Sequence, residues 1–225
     1  MPQKNSIKQY LENGYYHIYN RGVEKRSIFL SDLDYNVFLT YLKEYLLPKD
    51  KDALINKLAD PQLQWSEKET VLKLLKLKNF FGEVSLLAYC LMPNHFHLLI
   101  KQNSADSLNR FMQSLSIRYT MYFNNHYSRV GSLFQGVYKA VLVDTDEQLL
   151  HLSRYIHKQA LKGETLQYMQ PCSYPEYQQK RKSEWVYQNE VLSFFSKYNP
   201  ALSYKAFMEQ QFHSPIIAPL LIDDE

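Results

Sequence analysis

The run from Leu86 to Ile100, Leu-Leu-Ala-Tyr-Cys-Leu-Met-Pro-Asn-His-Phe-His-Leu-Leu-Ile, constrains this chain more than any other segment. Pro93-Asn94 is turn chemistry set between two apolar stretches, so residues 84–101 are predicted to form a β-hairpin. Side chains at i and i+2 of a strand share a face. His95 and His97 therefore point one way while Phe96, Leu98 and Ile100 point into a core. Two neutral imidazoles side by side can converge on one metal ion, and they can equally form a polar patch on a half-exposed strand. The pair alone leaves both readings open.

The segment from Asp144 to Gly163 is predicted to be one helix. Thr145 and Gln148 have capping-box spacing, Asp146 and Glu147 suit the positive end of the dipole, and Gly163 is a stop signal after Lys162. Leu149, Leu152, Ile156 and Ala160 make the buried stripe, with His151, Tyr155 and Gln159 in a row along its flank. A tyrosine in that row is either a packed aromatic or, facing a metal, a nucleophile. Gln159 is either solvated or a neutral oxygen ligand. His151, one turn before Tyr155, is the nearest proton acceptor in sequence or else a solvent-facing side chain.

Elsewhere, Tyr15 to Asn20 reads as a first strand, and Ser31 caps an amphipathic helix through Leu46 that Pro48 ends. Residues 49–82, rich in Lys and Leu, are predicted to be a helical insertion. A second long helix is expected from Ser104 to Asn125, and another strand from Ser132 to Val143. The resulting β-α-β-β-α-β order implies an α+β fold: a ferredoxin-like antiparallel sheet with helices on one face. Its open face would carry the histidines and accept the tyrosine helix. This domain would span residues 1–170, followed by a helical C-terminal extension, residues 171–225, with helices at Glu184–Phe195 and Tyr204–Phe212.

Four blocks, taken in order, carry a resemblance: Tyr16-His-Ile-Tyr-Asn-Arg-Gly22, Leu87 through Leu99, Tyr119 through Gly136, and Ser153-Arg-Tyr-Ile-His157. Over residues 15–165 the chain resembles the single-tyrosine transposases of the HUH superfamily, in the branch that includes the REP-associated tyrosine transposases. The resemblance implies that His95 and His97 bind a divalent metal, Mg²⁺ or Mn²⁺, that Tyr155 attacks a DNA phosphate, and that Gln159 helps to hold the metal. Two positions depart from the family pattern: Gln159-Ala160-Leu161, where asparagine followed by proline is frequent, and Val137, where arginine is frequent. A glutamine carbonyl can ligate as an asparagine's does.

The implied activity is metal-dependent cleavage and strand transfer of single-stranded DNA bearing a hairpin, through a covalent phosphotyrosine. Two other readings remain open: a non-cleaving descendant that still recognises repeat hairpins, and a metal hydrolase without a DNA substrate. The net charge of +3 is mild for a DNA-binding protein, so phosphate contacts must come from local patches. Those patches are Arg21, Lys25 and Arg26; Arg118 and Arg129; Arg154, Lys158 and Lys162; and Lys180-Arg-Lys182, this last read as a solvated face.

Cys90 and Cys172 form no metal or disulfide pattern, which fits a reduced cytoplasm. No stretch approaches 18 apolar residues and no export signal is evident, so neither membrane insertion nor secretion is expected. The short Asp144–Asp146 link before the tyrosine helix permits exchange of that helix within a homodimer.

Overall fold

The computed structural model describes residues 10–162, 167–168, 170–210 and 216–221. Strand β1 (Tyr15–Arg21) turns Tyr16 and Ile18 into one hydrophobic cluster and Tyr15 and His17 to the opposite side. Helix α1 (Asp32–Leu46) follows, burying Phe38, Leu42, Tyr45 and Leu46 against the first cluster. At its start the fully buried Asp34 accepts hydrogen bonds from the Leu30 and Ser31 amides and from the hydroxyls of Tyr122 and Tyr127, so its charge is not left unsatisfied. Helices α2 (Lys51–Leu58) and α3 (Trp65–Lys76) form the expected insertion, and of their residues only Val71 is buried.

The hairpin is β2 (Val84–Met92) and β3 (His95–Gln102), joined by the Pro93-Asn94 turn. After it come α4 (Ser107–His126), β4 (Lys139–Val143) and α5 (Asp146–Gln159). The strands form one antiparallel sheet in the order β2-β3-β1-β4, the ferredoxin-like arrangement expected from the element order. Helices α1 and α4 cover one face, and α5 lies on the other. Because both faces of β2 are covered, it reads as a continuous apolar run rather than an alternation. A bulge between Leu86 and Ala88 turns both Leu87 and Ala88 toward α5 and returns Tyr89 and Leu91 to the α1–α4 side. Full burial of side chains such as Phe38, Leu98 and Ile100 contributes about 1.5–3 kcal/mol each.

The segment after residue 170 completes the second face. Residues 171–173 run along the outer edge of β2, with the Leu91 amide donating to the Pro171 carbonyl and the Ser173 amide to Tyr89. Tyr187 donates to Leu86 further along. An edge that would otherwise expose unpaired backbone groups is thus covered. Short helices α6 (Tyr174–Tyr177), α7 (Asn189–Leu192) and α8 (Tyr204–Glu209) and a turn at Ala218–Leu220 place Tyr174, Val191, Tyr204, Met208 and Leu220 in one cluster with Leu152 and Ile156 of α5.

Several boundaries differ from expectation for local reasons. The strand expected from Ser132 begins at Lys139, because residues 132–138 form a loop with Gly136 at φ +79° and with Phe134 bridged to Gly22. Helix α4 begins at Ser107 rather than Ser104, since Asp106 takes a left-handed conformation with φ +61°. Helix α5 ends at Gln159 because Leu161 and Lys162 pair with Tyr168 and Gln167 as a small ribbon; the expected stop at Gly163 lies outside the described residues. Of Glu184–Phe195 only Asn189–Leu192 is α-helical, because Val186 and Tyr187 pair with Leu86 instead. The helix from Tyr204 reaches Glu209, and Gln211 and Phe212 lie outside the described residues.

Candidate active site

The β1–β3 register assembles the site. Tyr19 lies opposite His97, Arg21 opposite His95, and His17 opposite Leu99, so His17, Tyr19, Arg21, His95 and His97 share the face toward α5. His95 opens β3 directly after the turn. Its Nδ1 lies 2.7 Å from Asn94 Oδ1, while Asn94 Nδ2 donates to the Lys25 carbonyl at 3.4 Å. The amide oxygen accepts, so His95 Nδ1 carries a proton and the ring is oriented by Asn94.

His97 is 2% exposed, and its Nδ1 lies 2.9 Å from Nε2 of the equally buried His17. Its Nε2 is buried with no hydrogen-bond partner among the described residues. Burial, reinforced by the neighbouring His17 and His95, holds its pKa well below the usual histidine range, so the ring stays neutral. The rings of His95 and His97 stand perpendicular with centroids 4.9 Å apart.

Helix α5 brings the nucleophile candidate. The Thr145 hydroxyl accepts from the Gln148 amide, and the Gln148 side chain accepts from the Asp144 amide, which fixes the helix start. Leu149, Leu152, Ile156 and Ala160 are buried as the periodicity requires. Tyr155 is 7% exposed, its ring edge-on to His97 with centroids 5.6 Å apart and to His17 at 6.3 Å. Gln159 is half-buried one turn further along. His151 is not solvent-facing: its Nδ1 accepts from Arg154 Nη2 at 2.7 Å, and burial followed by the Arg154 charge lowers its pKa. That lone pair is engaged by the Arg154 guanidinium.

The basic residues separate into groups. Arg21 stands beside His95, its Nε donating to Gln135 Oε1 at 2.5 Å, and the Lys25 backbone touches Asn94. Arg129 donates to Asn124 and to the Ser132 carbonyl near the loop before β4, and Lys158 donates to the Gln210 carbonyl. Arg118 lies in the helical layer behind the sheet, paired with Glu44 at 2.6 Å and stacked 3.7 Å from the Tyr41 ring centroid. Arg154 is 2% exposed; it donates to the Phe207 carbonyl at 3.0 Å, lies 4.2 Å from that ring's centroid and presents no surface to a DNA backbone. Lys180, Arg181 and Lys182 are exposed, as the solvated-face reading expects, and the buried Glu176 also accepts two 2.7 Å hydrogen bonds from the Arg181 guanidinium.

Two buried histidines carry weight that sequence reasoning did not assign. His17 joins the site through the strand register. His157, two residues after Tyr155, bonds the Tyr204 hydroxyl and Ser173 Oγ, each at 2.8 Å, and so ties α5 to the C-terminal segment. The signal for His17 was its odd position in β1, shared with Tyr15 and Tyr19.

The model of the IS200-like transposases matches residues 36–159, more than half of the chain and a span that holds both β3 histidines and Tyr155. The chain belongs to the IS200-like transposase family. Among solved structures, a REP-associated tyrosine transposase described as bound to a REP hairpin is similar at 11% identity, with 70% of this chain and 72% of that chain covered and a TM-score of 0.44. A transposase homologue from Deinococcus radiodurans R1 is similar at 15% identity, with 70% and 98% covered and a TM-score of 0.28. No curated protein matches the chain.

Among the described residues no three His, Cys, Asp or Glu side chains gather into a metal site, so an ion at His95 and His97 requires a donor of another kind. The residues fit that requirement. His97 Nε2 is an orphaned buried atom, and an amide oxygen is a neutral donor of that other kind, the type that the half-buried Gln159 carries.

Proposed function

We propose that this transposase-family protein is a metal-dependent single-stranded DNA endonuclease and strand transferase that forms a covalent phosphotyrosine at Tyr155 on hairpin-bearing DNA. The observation that carries the reading is the buried Nε2 of His97, which has no hydrogen-bond partner among the described residues, on a ring whose centroid lies 5.6 Å from that of Tyr155. His95, His97 and Gln159 would hold Mg²⁺ or Mn²⁺. Bound there, the ion would supply Lewis-acid polarisation of a non-bridging phosphate oxygen.

The chain's own residues supply positioning. Asn94 orients His95, and packing of Leu152 and Ile156 holds α5 so that Tyr155 meets the histidine face of its own chain; the reading needs no second copy. The Tyr155 Oη–P bond forms as the P–O3′ bond breaks, and the phenolic proton balances the released 3′-hydroxyl. Attack by a 3′-hydroxyl reverses the step and joins strands without a nucleotide cofactor. Arg21, opposite His95, is placed to meet the phosphate backbone, with Lys25, Arg129 and Lys158 as further contacts. A cytoplasmic setting suits this substrate and the two free, buried cysteines, and no described helix is long and apolar enough to cross a membrane.

A second reading, a DNA-binding descendant that no longer cuts, draws on one feature. Val137, where the resembled family often has arginine, is 71% exposed and supplies no cation. The discriminating experiment incubates the protein and Mn²⁺ with a pool of single-stranded hairpin oligonucleotides carrying randomised flanks. Cleavage that is lost with EDTA supports the enzyme; binding without cleavage of any sequence supports the descendant.

A further inference from the structure

The buried histidine of β1 has a hydrogen-bond direction that can be worked out without observing hydrogens. His17 Nδ1 lies 3.0 Å from the Leu220 carbonyl oxygen, and its Nε2 lies 2.9 Å from His97 Nδ1. A carbonyl only accepts, so His17 Nδ1 carries the proton. An imidazole that carries its one proton on Nδ1 accepts at Nε2, the nitrogen 2.9 Å from His97. The proton between the two rings then belongs to His97 Nδ1. That leaves a lone pair on His97 Nε2, the atom that has no partner among the described residues.

We infer that His17 is a positioning residue for the metal site: held by the Leu220 main chain, it fixes His97 as the Nδ1–H tautomer with Nε2 turned out as a ligand. The inference rests on the metal reading of His95 and His97 given above. Asn94 performs the same task for His95 with a side-chain oxygen, so each ligand has its own acceptor. Histidine ligands need such partners, because a freely exchanging tautomer presents a protonated nitrogen to the metal part of the time. The ring also packs. His17 and His97 stack with centroids 5.1 Å apart at 17°, so space filling must be separated from hydrogen bonding. The arrangement gives the Ala218–Leu220 turn a function as well: one of its carbonyls sets the proton order of a chain ending at the metal-facing nitrogen.

Two substitutions separate the roles. His17→Phe keeps an aromatic ring but removes the acceptor. In His17→Gln the amide NH₂ can donate to Leu220 and the amide oxygen can accept from His97. Ring ¹⁵N shifts from long-range ¹H–¹⁵N spectra of the metal-free full chain report the tautomer, and calorimetric titration with Mn²⁺ reports affinity. Wild type is expected to show His97 as Nδ1–H. His17→Phe is expected to move it toward Nε2–H and weaken Mn²⁺ binding by about 10- to 100-fold, with His17→Gln recovering most of the loss. An Nε2–H tautomer in wild type overturns the inference, as does a His17→Phe protein with unchanged tautomer and affinity. If His17→Phe does not fold, the wild-type tautomer and His17→Gln still decide. Failure of the underlying metal reading looks different: Mn²⁺ binding would be indifferent to His95→Ala and His97→Ala whatever the tautomer.

Discussion

The Tyr155 ring stands edge-on to that of His97, their centroids 5.6 Å apart and their planes at 85°. One residue comes from α5 and the other from β3, so the relationship depends on how α5 seats on the sheet. That seating rests on Leu149, Leu152 and Ile156 inside the second cluster and on the polar ties of His157 and Arg154 to the C-terminal segment.

His157 makes that seating sensitive to acid. Burial lowers its pKa from the usual 6.5 to about 3. The unfolded chain takes up a proton below pH 6.5 that the folded chain refuses, so stability is full above that pH and falls as pH drops toward 3. The slope contributed is at most about 1.4 kcal/mol per pH unit. Burial of His97 acts with the same sign. Urea denaturation of wild type and His157→Gln between pH 7.5 and 5.0 is expected to give a shallower loss in the variant; equal slopes would contradict the assignment.

The cations divide into structural and DNA-facing sets, and salt dependence separates them. Arg154→Met is expected to cost about 1–3 kcal/mol of stability by removing hydrogen bonds to Phe207 and His151, with no change in how single-stranded DNA affinity responds to salt. Arg21→Ala and Arg129→Ala are each expected to reduce the slope of log K against log salt by about 0.7, the value for one phosphate contact on a single strand. The reverse pattern in fluorescence-anisotropy titrations would show that the sets are exchanged.

The α2–α3 insertion is closed off at its base. Asn79 Nδ2 donates to the Leu47 carbonyl at 2.7 Å, the Phe80 amide to Tyr45 at 2.8 Å, and Lys49 Nζ to the Leu77 carbonyl. Replacing residues 51–76 by a short Gly/Ser linker is expected to leave the rest folded, with a melting temperature within about 4 °C, or roughly 1 kcal/mol, of wild type. Loss of cooperative melting would show that the insertion is integral to the core.

What the sequence revealed follows from the range of the signals. The hairpin, the shared face of His95 and His97 and the buried stripe of α5 are consequences of period and turn chemistry within a few residues, and they stand in the structure. His17 could be placed on a face of β1 but not against His97, because register between strands some 80 residues apart leaves no local trace. Arg154 looked like a phosphate-contacting cation and His151 like a solvent-facing side chain because their partner, Phe207, comes from a segment whose docking no periodicity encodes. Glu184–Phe195 looked helical because the competing pairing of Val186 and Tyr187 with Leu86 is non-local.

Tyr155 is proposed above as the nucleophile beside a histidine-bound metal. The most direct test is mass spectrometry of the SDS-resistant adduct trapped when the full chain meets Mn²⁺ and a single-stranded hairpin substrate selected from the randomised pool. Nucleotide mass is expected on the peptide containing Tyr155, lost in Tyr155→Phe, in His97→Ala and with EDTA. An adduct on another residue, or none while the same DNA remains bound, would contradict it.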